Sequence, residues 1–436
     1  MTPHKNLTII GKTFCRLLCF YAVFGSSSAL QALDFNPLCY SESGGNVRKV
    51  STCALLDAAL SNANPGDIII LADGDYNCDR IASKSGTSMR PIIIRAANPR
   101  QAKFTNASFA ISGNYNVLAN LTFDNSGINI TGDFNRISNN KFQNNGGVLK
   151  AAVTVQRGNH NRIDHNEVLD YGAGQRGLRI IPSSNRRNNT AKNNILDRNY
   201  LHRSLGPRQN GADGIQLGSS DDHTYERLNT IVEYNLIERW EIDNEMISNK
   251  SSDNIIRFNT LADSKADGQV RHGSFVRIVS NYFFNVRGLI NYGDDNQIIG
   301  NVVENGDLII RNGDVNQSDI PLSSGPTGHP ASLRTLVATN TVINGEICVG
   351  CRVPGGDNSS GIPARFTDLR RNSAKIRLLD QENTTQGSTY AGISIPAIRL
   401  RQVDVGPGSP DVCDKSASSG NVLPAPPAGF KVIQTF

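Results

Sequence analysis

Between Val117 and Val342 the chain repeats a short pattern of hydrophobic and polar positions: an aliphatic residue, two variable residues, asparagine, one further residue and then an apolar one. It runs as Val117-Leu-Ala-Asn120, Ile137-Ser-Asn-Asn140-Lys-Phe142 and Ile163-Asp-His-Asn166-Glu-Val168, and recurs at Asn199, Asn235, Asn259, Asn281, Asn301 and Asn340. Asn120 to Asn140, Asn235 to Asn259, Asn259 to Asn281 and Asn281 to Asn301 are 20, 24, 22 and 20 residues apart. The wider gaps, such as Asn166 to Asn199, read as loops inserted on one edge of a coil. Short alternating strands with a period in the low twenties predict an all-β chain, wound as a single-stranded right-handed parallel β-helix, a solenoid. Leucine-rich repeats share the period but require a leucine consensus that this chain lacks. The inward aliphatics would stack into one core. The asparagines would form a side-chain ladder at a bend, where asparagine tolerates left-handed backbone.

The ends fit this reading. Ser51-Thr-Cys-Ala-Leu-Leu-Asp-Ala-Ala-Leu60 predicts a capped amphipathic helix able to cover the open first coil. Pro65-Gly66-Asp67 then marks a turn before Ile68–Leu71 and Gly74–Tyr76. Beyond Cys348 the repeat is hard to follow, and residues 405–436, rich in Gly, Pro and Ser, predict an extended tail along the outside. No sharp boundary for a second domain is visible, so residues 33–404 form the expected β-helix domain.

Residues 1–32 have the order of a signal peptide, cleaved after Ala29 or Ala32: Lys5, Lys12 and Arg16, then apolar Leu17 to Phe24, then small residues. A secreted or periplasmic protein is expected. The apolar run is too short to span a bilayer, and no later stretch is long enough, so no membrane partner is expected. Losing those three basic residues lowers the formal net charge from +5 to +2. Attraction to a polyanion must then come from local clustering, and nothing points to nucleic acid. A monomer is expected, a dimer being the alternative. Six cysteines remain after cleavage (Cys39, Cys53, Cys78, Cys348, Cys351 and Cys413), an even number that suits disulfides in an oxidising compartment. For Cys348-Val-Gly-Cys351 a structural bridge is preferred to a redox or zinc pair.

The chemistry concentrates between Glu241 and Gly273. Asp243 and Glu245 precede Lys250, and Arg271-His272 follow about one coil later. Strands in a sheet lie roughly 4.8 Å apart, so Lys250 and Arg271 are expected side by side on neighbouring coils, reaching one acidic sugar. Asn210-Gly-Ala-Asp213 on the preceding coil would supply Asn210 or Asp213 to the same face. An amide with two carboxylates is a hard-oxygen set suited to Ca²⁺. The plain alternatives are a solvated lysine on a coil edge, and acids that pair with Lys250 and Arg271. His272 orients substrate or simply packs, and Arg311 contacts substrate or is a surface charge. Asp221-Asp222 and Asp294-Asp295 sit beside Gly, Ser or Asn and are read as turn-forming residues rather than a hydrolase's acid pair.

These pieces resemble polysaccharide lyase family six, the β-helical alginate lyases and their chondroitinase B relatives. The resemblance rests on Asn210-Gly211-x-Asp213, on Asp243-x-Glu245 with Lys250-Ser251-Ser252 and Asn259-Thr260, and on Arg271-His272-Gly273 with Asn281-Tyr-Phe283; it covers most of residues 50–345. It implies Lys250 as catalytic base, Arg271 as its acid partner, and Asn210, Asp243 and Glu245 as calcium ligands. The chain departs from the family at Asp213 and Asp243, where glutamate is usual, and at Gln216, where arginine is frequent. Leu289-Ile290-Asn291 also lacks an arginine, for which Arg311 is the candidate replacement. The expected function is depolymerisation of alginate by β-elimination. The alternatives are a chondroitin or dermatan sulfate lyase, a polygalacturonase-type hydrolase, and a non-catalytic glycan-binding β-helix.

Overall fold

The computed structural model describes residues 40, 42 and 44–409, apart from 145–149, 173, 183–190, 205, 220–224, 317, 319–327, 352–360, 380 and 393–396. The signal-like stretch, Cys39, Cys413, Asp221-Asp222 and the tail beyond residue 409 lie outside the described residues. The chain winds as a right-handed parallel β-helix. One stack of 14 parallel strands forms one face, and a 22-stranded sheet wraps two further faces. The nine-residue strand Thr341–Val349 serves both of those faces.

The coil pitch follows from the aliphatic spacing. Leu118, Ile137, Ile163, Leu196, Val232, Ile256, Ile278, Ile298, Val337 and Leu369 are consecutive register partners in the 14-stranded stack. All are buried in one core that runs the length of the solenoid. Phe104, Phe123 and Phe142 stack inside it on neighbouring coils, with ring centroids 5.4 and 4.9 Å apart. At ~25 cal/mol per Å² of apolar surface, this continuous burial is what holds successive coils in register.

The asparagine ladder forms at the bend that follows this stack. The Oδ1 of each asparagine accepts the backbone N–H of the asparagine one coil before it, at 2.9–3.0 Å, from Asn140 through Asn166, Asn199, Asn235, Asn259, Asn281, Asn301 and Asn340 to Asn372. Two details differ from expectation. Leu121, not Asn120, is the residue in register with Asn140, because its N–H donates to Asn140 Oδ1. And the ladder asparagines are not the left-handed residues. Those are the residues just before them, including Asn139, His165, Arg198, Tyr234, Phe258 and Ser280, with φ of +54 to +58°. The side-chain amides replace the backbone partners that the bend removes, which is what keeps these buried polar groups satisfied.

The helix Cys53–Ser61 covers the first coil, with Thr52 capping it by accepting from the Leu55 N–H at 3.2 Å. Leu56, Ala59 and Leu60 face the core, and Cys53 is bridged to Cys78. Coils continue past Cys348 to the strand Thr385–Gly387. The chain then runs back along the outside. Leu400 N donates to Thr260 Oγ1 at 2.8 Å, Gly406 N to the Arg198 carbonyl at 2.8 Å and Gly408 N to Asn139 Oδ1 at 3.0 Å. Leu400 and Val405 pack on Tyr200, Tyr234, Leu236 and Phe258. No helix among the described residues is long and apolar enough to cross a membrane.

Candidate active site

The strands Arg176–Ile181, Ile215–Leu217, Glu245–Lys250, Asp267–His272 and Gly288–Asn291 lie in sequence on one face. Between Glu245–Lys250 and Asp267–His272 the register shifts twice. Glu245 pairs with Asp267 but Ile247 with Gly268; Asn249 pairs with Val270 but Lys250 with His272. Each strand thus carries one extra residue, Met246 and Arg271, and the two irregularities cancel. Irregularities of this kind re-aim side chains. Lys250 therefore stands opposite His272, and Arg271 is turned back over the preceding coil rather than stacking on Lys250.

The target of both cations is Glu245. Arg271 Nη1 donates to Glu245 Oε1 at 2.8 Å, and Lys250 Nζ lies 3.8 Å from Oε2. Ser248 Oγ also donates to Oε2. On its other side Lys250 Nζ lies 3.6 Å from Asp213 Oδ1, and Arg176 Nε lies 3.5 Å from Asp213 Oδ2. Burial works to raise the Glu245 carboxyl, but Lys250 and Arg271 prevail and hold it down at about 2. Asp213 goes the other way. Burial pushes it up to about 7, against the attraction of Lys250 and with the repulsion of Glu245 and Asp243.

The loop that carries Asp213 is held from below. Trp240, the chain's single tryptophan, is fully buried and donates from Nε1 to the Ala212 carbonyl at 2.8 Å. Asp243 Oδ2 accepts the Ala212 N–H and its Oδ1 the Asn244 N–H, both at 2.6 Å. Gly211 has φ +87°, and a Cβ there would meet the Arg176 guanidinium at 2.8 Å. Gly273 closes the other side of the site: φ is +100°, and a Cβ would meet the Ser251 carbonyl oxygen at 2.2 Å. Both positions require glycine.

The structure thus gathers Lys250, Arg271, Glu245 and Asp213, with Asp243 beneath the Asp213 loop. Asn210 is not drawn in: it stays exposed at the start of the loop, because the Ala212 N–H is captured by Asp243 and the chain turns to point Asp213 inward. Sequence reasoning named Asp213 only as an alternative to Asn210. Its signal was the next carboxylate after Gly211. Arg311 is not a surface charge. It is 1% exposed, and its guanidinium lies 5.3 Å from the centre of the Tyr292 ring. His272 is buried against His329, ring centroids 5.9 Å apart, and burial holds its imidazole well below the usual histidine range, with His329, Arg271 and Lys250 acting in the same sense. Asp294 and Asp295 are turn carboxylates paired with Arg334. Cys348 and Cys351 are bridged to each other.

A hard divalent cation suits this donor set in chemistry. The Asp213 carboxylate, on a residue 1% exposed, meets Lys250 and Arg176 only at 3.6 and 3.5 Å, and both neighbouring acids supply only carboxylate oxygen. Among the described residues the three acids do not converge as tightly as Glu346, Cys348 and Cys351, whose two sulfurs are joined to each other.

Fold and site together define a polysaccharide lyase built on a parallel β-helix. The chondroitinase B family model matches residues 50–354, and the chain belongs to that family. Among solved structures it is similar to the PL6-family polysaccharide lyase Pedsa3628 from Pseudopedobacter saltans, at 17% identity and a TM-score of 0.66, covering 83% of this chain and 99% of that one. It is also similar to a mannuronic-acid-specific family 6 lyase from the human gut microbiota, at 21% identity and a TM-score of 0.64, covering 83% and 96%. The PL6 alginate lyase AlyGC matches at 19% identity and a TM-score of 0.65, and there the match spans 82% of this chain and 55% of the other. No curated protein sequence matches the chain.

Proposed function

We propose that the protein depolymerises alginate by β-elimination, with Lys250 as the base and Arg271 at the departing oxygen. The observation that carries this reading is the Glu245 carboxylate set between the Lys250 amine and the Arg271 guanidinium on one face of the solenoid. In the reaction the C5 proton of a uronate passes to Lys250 Nζ. The C5–H electron pair becomes the C4–C5 double bond, and the C4–O4 bond breaks. To take that proton Lys250 must first give up one of its own and meet the substrate as the free amine. Glu245 and Asp213 fix its position from two sides, leaving one direction for the substrate hydrogen. Arg271, which hardly ever deprotonates, stabilises negative charge on the departing O4 and on the sugar carboxylate, and the proton that O4 takes up comes from water or from Lys250.

A divalent cation, calcium by its oxygen donors, would be held by Asp213, Glu245 and Asp243, with Asn210 at the margin, and would supply neutralisation of the uronate carboxylate. His272 would contact substrate as an uncharged imidazole. Arg311 serves the site by supporting Tyr292 rather than by touching sugar. Residues 1–32 support export to the periplasm or medium, which N-terminal sequencing of the mature protein tests.

Alginate is favoured because the cationic groups at the site are few, namely Arg176, Arg179, Lys250 and Arg271, enough for carboxylates spaced along a chain. A sulfated polymer calls for more. Cleavage of chondroitin or dermatan sulfate is the second reading, favoured by the family model itself. The test follows the ultraviolet absorbance of unsaturated uronate with alginate and with each sulfated polymer, with and without chelator. A rise on alginate alone supports the first reading; a rise on a sulfated polymer alone replaces it with the second. No rise on any uronate polymer overturns both.

A further inference from the structure

One outward-facing row of side chains crosses the candidate site from end to end of the solenoid. Ile81, Ala110, Asn129, Thr154, Arg179, Gln216, Ser248, Gln269, Ile290, Ile309, Cys348 and Arg377 are successive register partners. At the site itself Gln216 and Ser248 are buried. Beyond them towards the N-terminal coils, Arg179, Thr154, Asn129 and Ala110 are all partly exposed and Ile81 is open to solvent. Towards the C-terminal coils Gln269 is partly exposed, Ile290, Ile309 and Cys348 drop to 1–2% exposure, and the row opens again only at Arg377, which is paired with Glu346.

What covers them is a wall of described residues. Tyr292 and Cys351 pack with Ile290, Ile309 and Cys348 in one apolar cluster. His329 stacks on Tyr292 at 5.0 Å and on His272 at 5.9 Å, and the Arg311 guanidinium lies 5.3 Å from the centre of the Tyr292 ring. The Cys348–Cys351 bridge closes this cluster covalently on the strand Thr341–Val349. The residue types at the site and beyond it differ in the same sense: Arg179, Gln216 and Ser248 offer polar groups beside Lys250, whereas Ile290, Ile309 and Cys348 offer none and are covered.

The cationic groups that an acidic chain would follow, Arg179, Arg176, Lys250 and Arg271, also run along the solenoid axis and stop at the wall. From the coil of Lys250 to that of Ile290 is two strand spacings, roughly 10 Å. That is room for one or two sugar rings.

We propose that the enzyme is a chain-end lyase: the polymer lies along the open N-terminal coils, its end abuts the His329–Tyr292 wall, and each elimination releases a product of one or two sugars. This rests on the β-elimination reading above. His329 is then a specificity-determining residue that sets product length, not a group acting on the reacting atoms.

The experiment is a time course of the full-length protein on long-chain alginate and on chondroitin and dermatan sulfate. Product sizes are resolved chromatographically, and solution viscosity and unsaturated-uronate absorbance are read in parallel. One product size of one or two sugars from the earliest points, with viscosity falling slowly relative to absorbance, is the expected result. A ladder of many sizes with an early collapse of viscosity overturns chain-end action while leaving the lyase reading intact. No absorbance on any of the polymers overturns the lyase reading and this inference with it. His329→Ala, checked for an unchanged melting temperature, is expected to lengthen the early products. If the folded variant keeps the wild-type product size, His329 does not set the end of the cleft. Should the variant fail to fold, the wild-type time course decides alone.

Discussion

Arg271 and Lys250 share one carboxylate: Arg271 Nη1 bonds Glu245 Oε1 at 2.8 Å while Lys250 Nζ lies 3.8 Å from Oε2. Removing Lys250 removes the proposed base, so Lys250→Ala should lower the elimination rate by about 10²–10⁴-fold with little change in melting temperature. Arg271→Ala should give a loss of similar order. Glu245→Ala is expected to do something different. It leaves two cations in a buried site without their shared partner, at a cost of about 3–5 kcal/mol, so it should lower both activity and melting temperature. Initial rates from the unsaturated-uronate absorbance, set beside thermal melts of the three variants, separate these outcomes. A fully active Lys250→Ala would remove the assigned base.

Asp213 predicts how stability and cation binding vary with pH. Its carboxyl sits at about 7 in the fold against 3.8 for a free side chain. An acid raised by folding contributes no penalty below the lower value. The penalty grows as pH rises from about 4 to about 7 and is complete above it. The protein stripped with chelator should therefore lose stability over that window, and Asp213→Asn should flatten the loss. A divalent cation that binds the charged form should restore stability most at the alkaline end, by about 2.7 kcal/mol at a hundred times its dissociation constant. Thermal melts at about pH 5 and about pH 8, with chelator or calcium, check this. A calcium-induced rise that persists unchanged in Asp213→Asn would place the cation elsewhere.

Much of this was legible in the chain because a solenoid turns sequence distance into spatial adjacency. The aliphatic and asparagine spacing identifies the coil, and the coil brings residues 250 and 271 to one face. The misplacements have local causes. Asn120 looked like a ladder residue because it follows an aliphatic at the right distance, but it lies one position out of register. Asn372 follows Leu369 at the ladder distance, but it lies beyond Cys348, where the repeat is hard to follow. The left-handed residue at the bend could not be read from type, since His, Arg, Tyr, Phe and Ser all occupy it. The two offsetting bulges at Met246 and Arg271 leave no trace in composition, and they are what turn Arg271 onto Glu245. Arg311 seemed a surface charge because arginine is rarely buried. Its burial depends on a wall formed by residues far along the chain.

The asparagine ladder carries its own prediction. Asn259 accepts from Asn235 N at 3.0 Å and donates from Nδ2 to Val232 O, Arg257 O and Asn281 Oδ1 at 2.9–3.0 Å, all buried. Asn259→Ala leaves at least one buried amide and carbonyl without partners, at about 1–3 kcal/mol each. Asn305 makes the same kind of side-chain contact with Asn285, but on the exposed surface. Asn305→Ala should change stability by no more than about 0.5 kcal/mol. Urea unfolding of both variants tests the contrast, and equal effects would mean that the ladder is decorative.

The outer side of the 14-stranded stack holds buried charge whose removal should be costly in one direction only. Asp164 accepts from Arg136 Nε and Nη2 at 2.9 and 2.7 Å and from Ser138 Oγ at 2.9 Å, with His165 Nδ1 at 2.7 Å and Arg162 at 3.6 Å. Burial works to raise its carboxyl, but the two guanidinium groups overcome that and hold it well below 3.8. For an acid depressed by folding, the stabilisation is fully present above the unfolded value. It is lost only as pH falls through the lower folded one. The network should therefore hold at any pH above about 4. Asp164→Ala leaves Arg136 without its bidentate partner in a buried site, and about 3–5 kcal/mol should be lost. Replacing both members, Asp164→Leu with Arg136→Met, removes the stranded charge along with its partner and should recover most of that loss. Chemical denaturation of the single and double variants at neutral pH and at about pH 3 reads this directly. A double variant no more stable than the single would show that packing, rather than the unpaired charge, sets the cost.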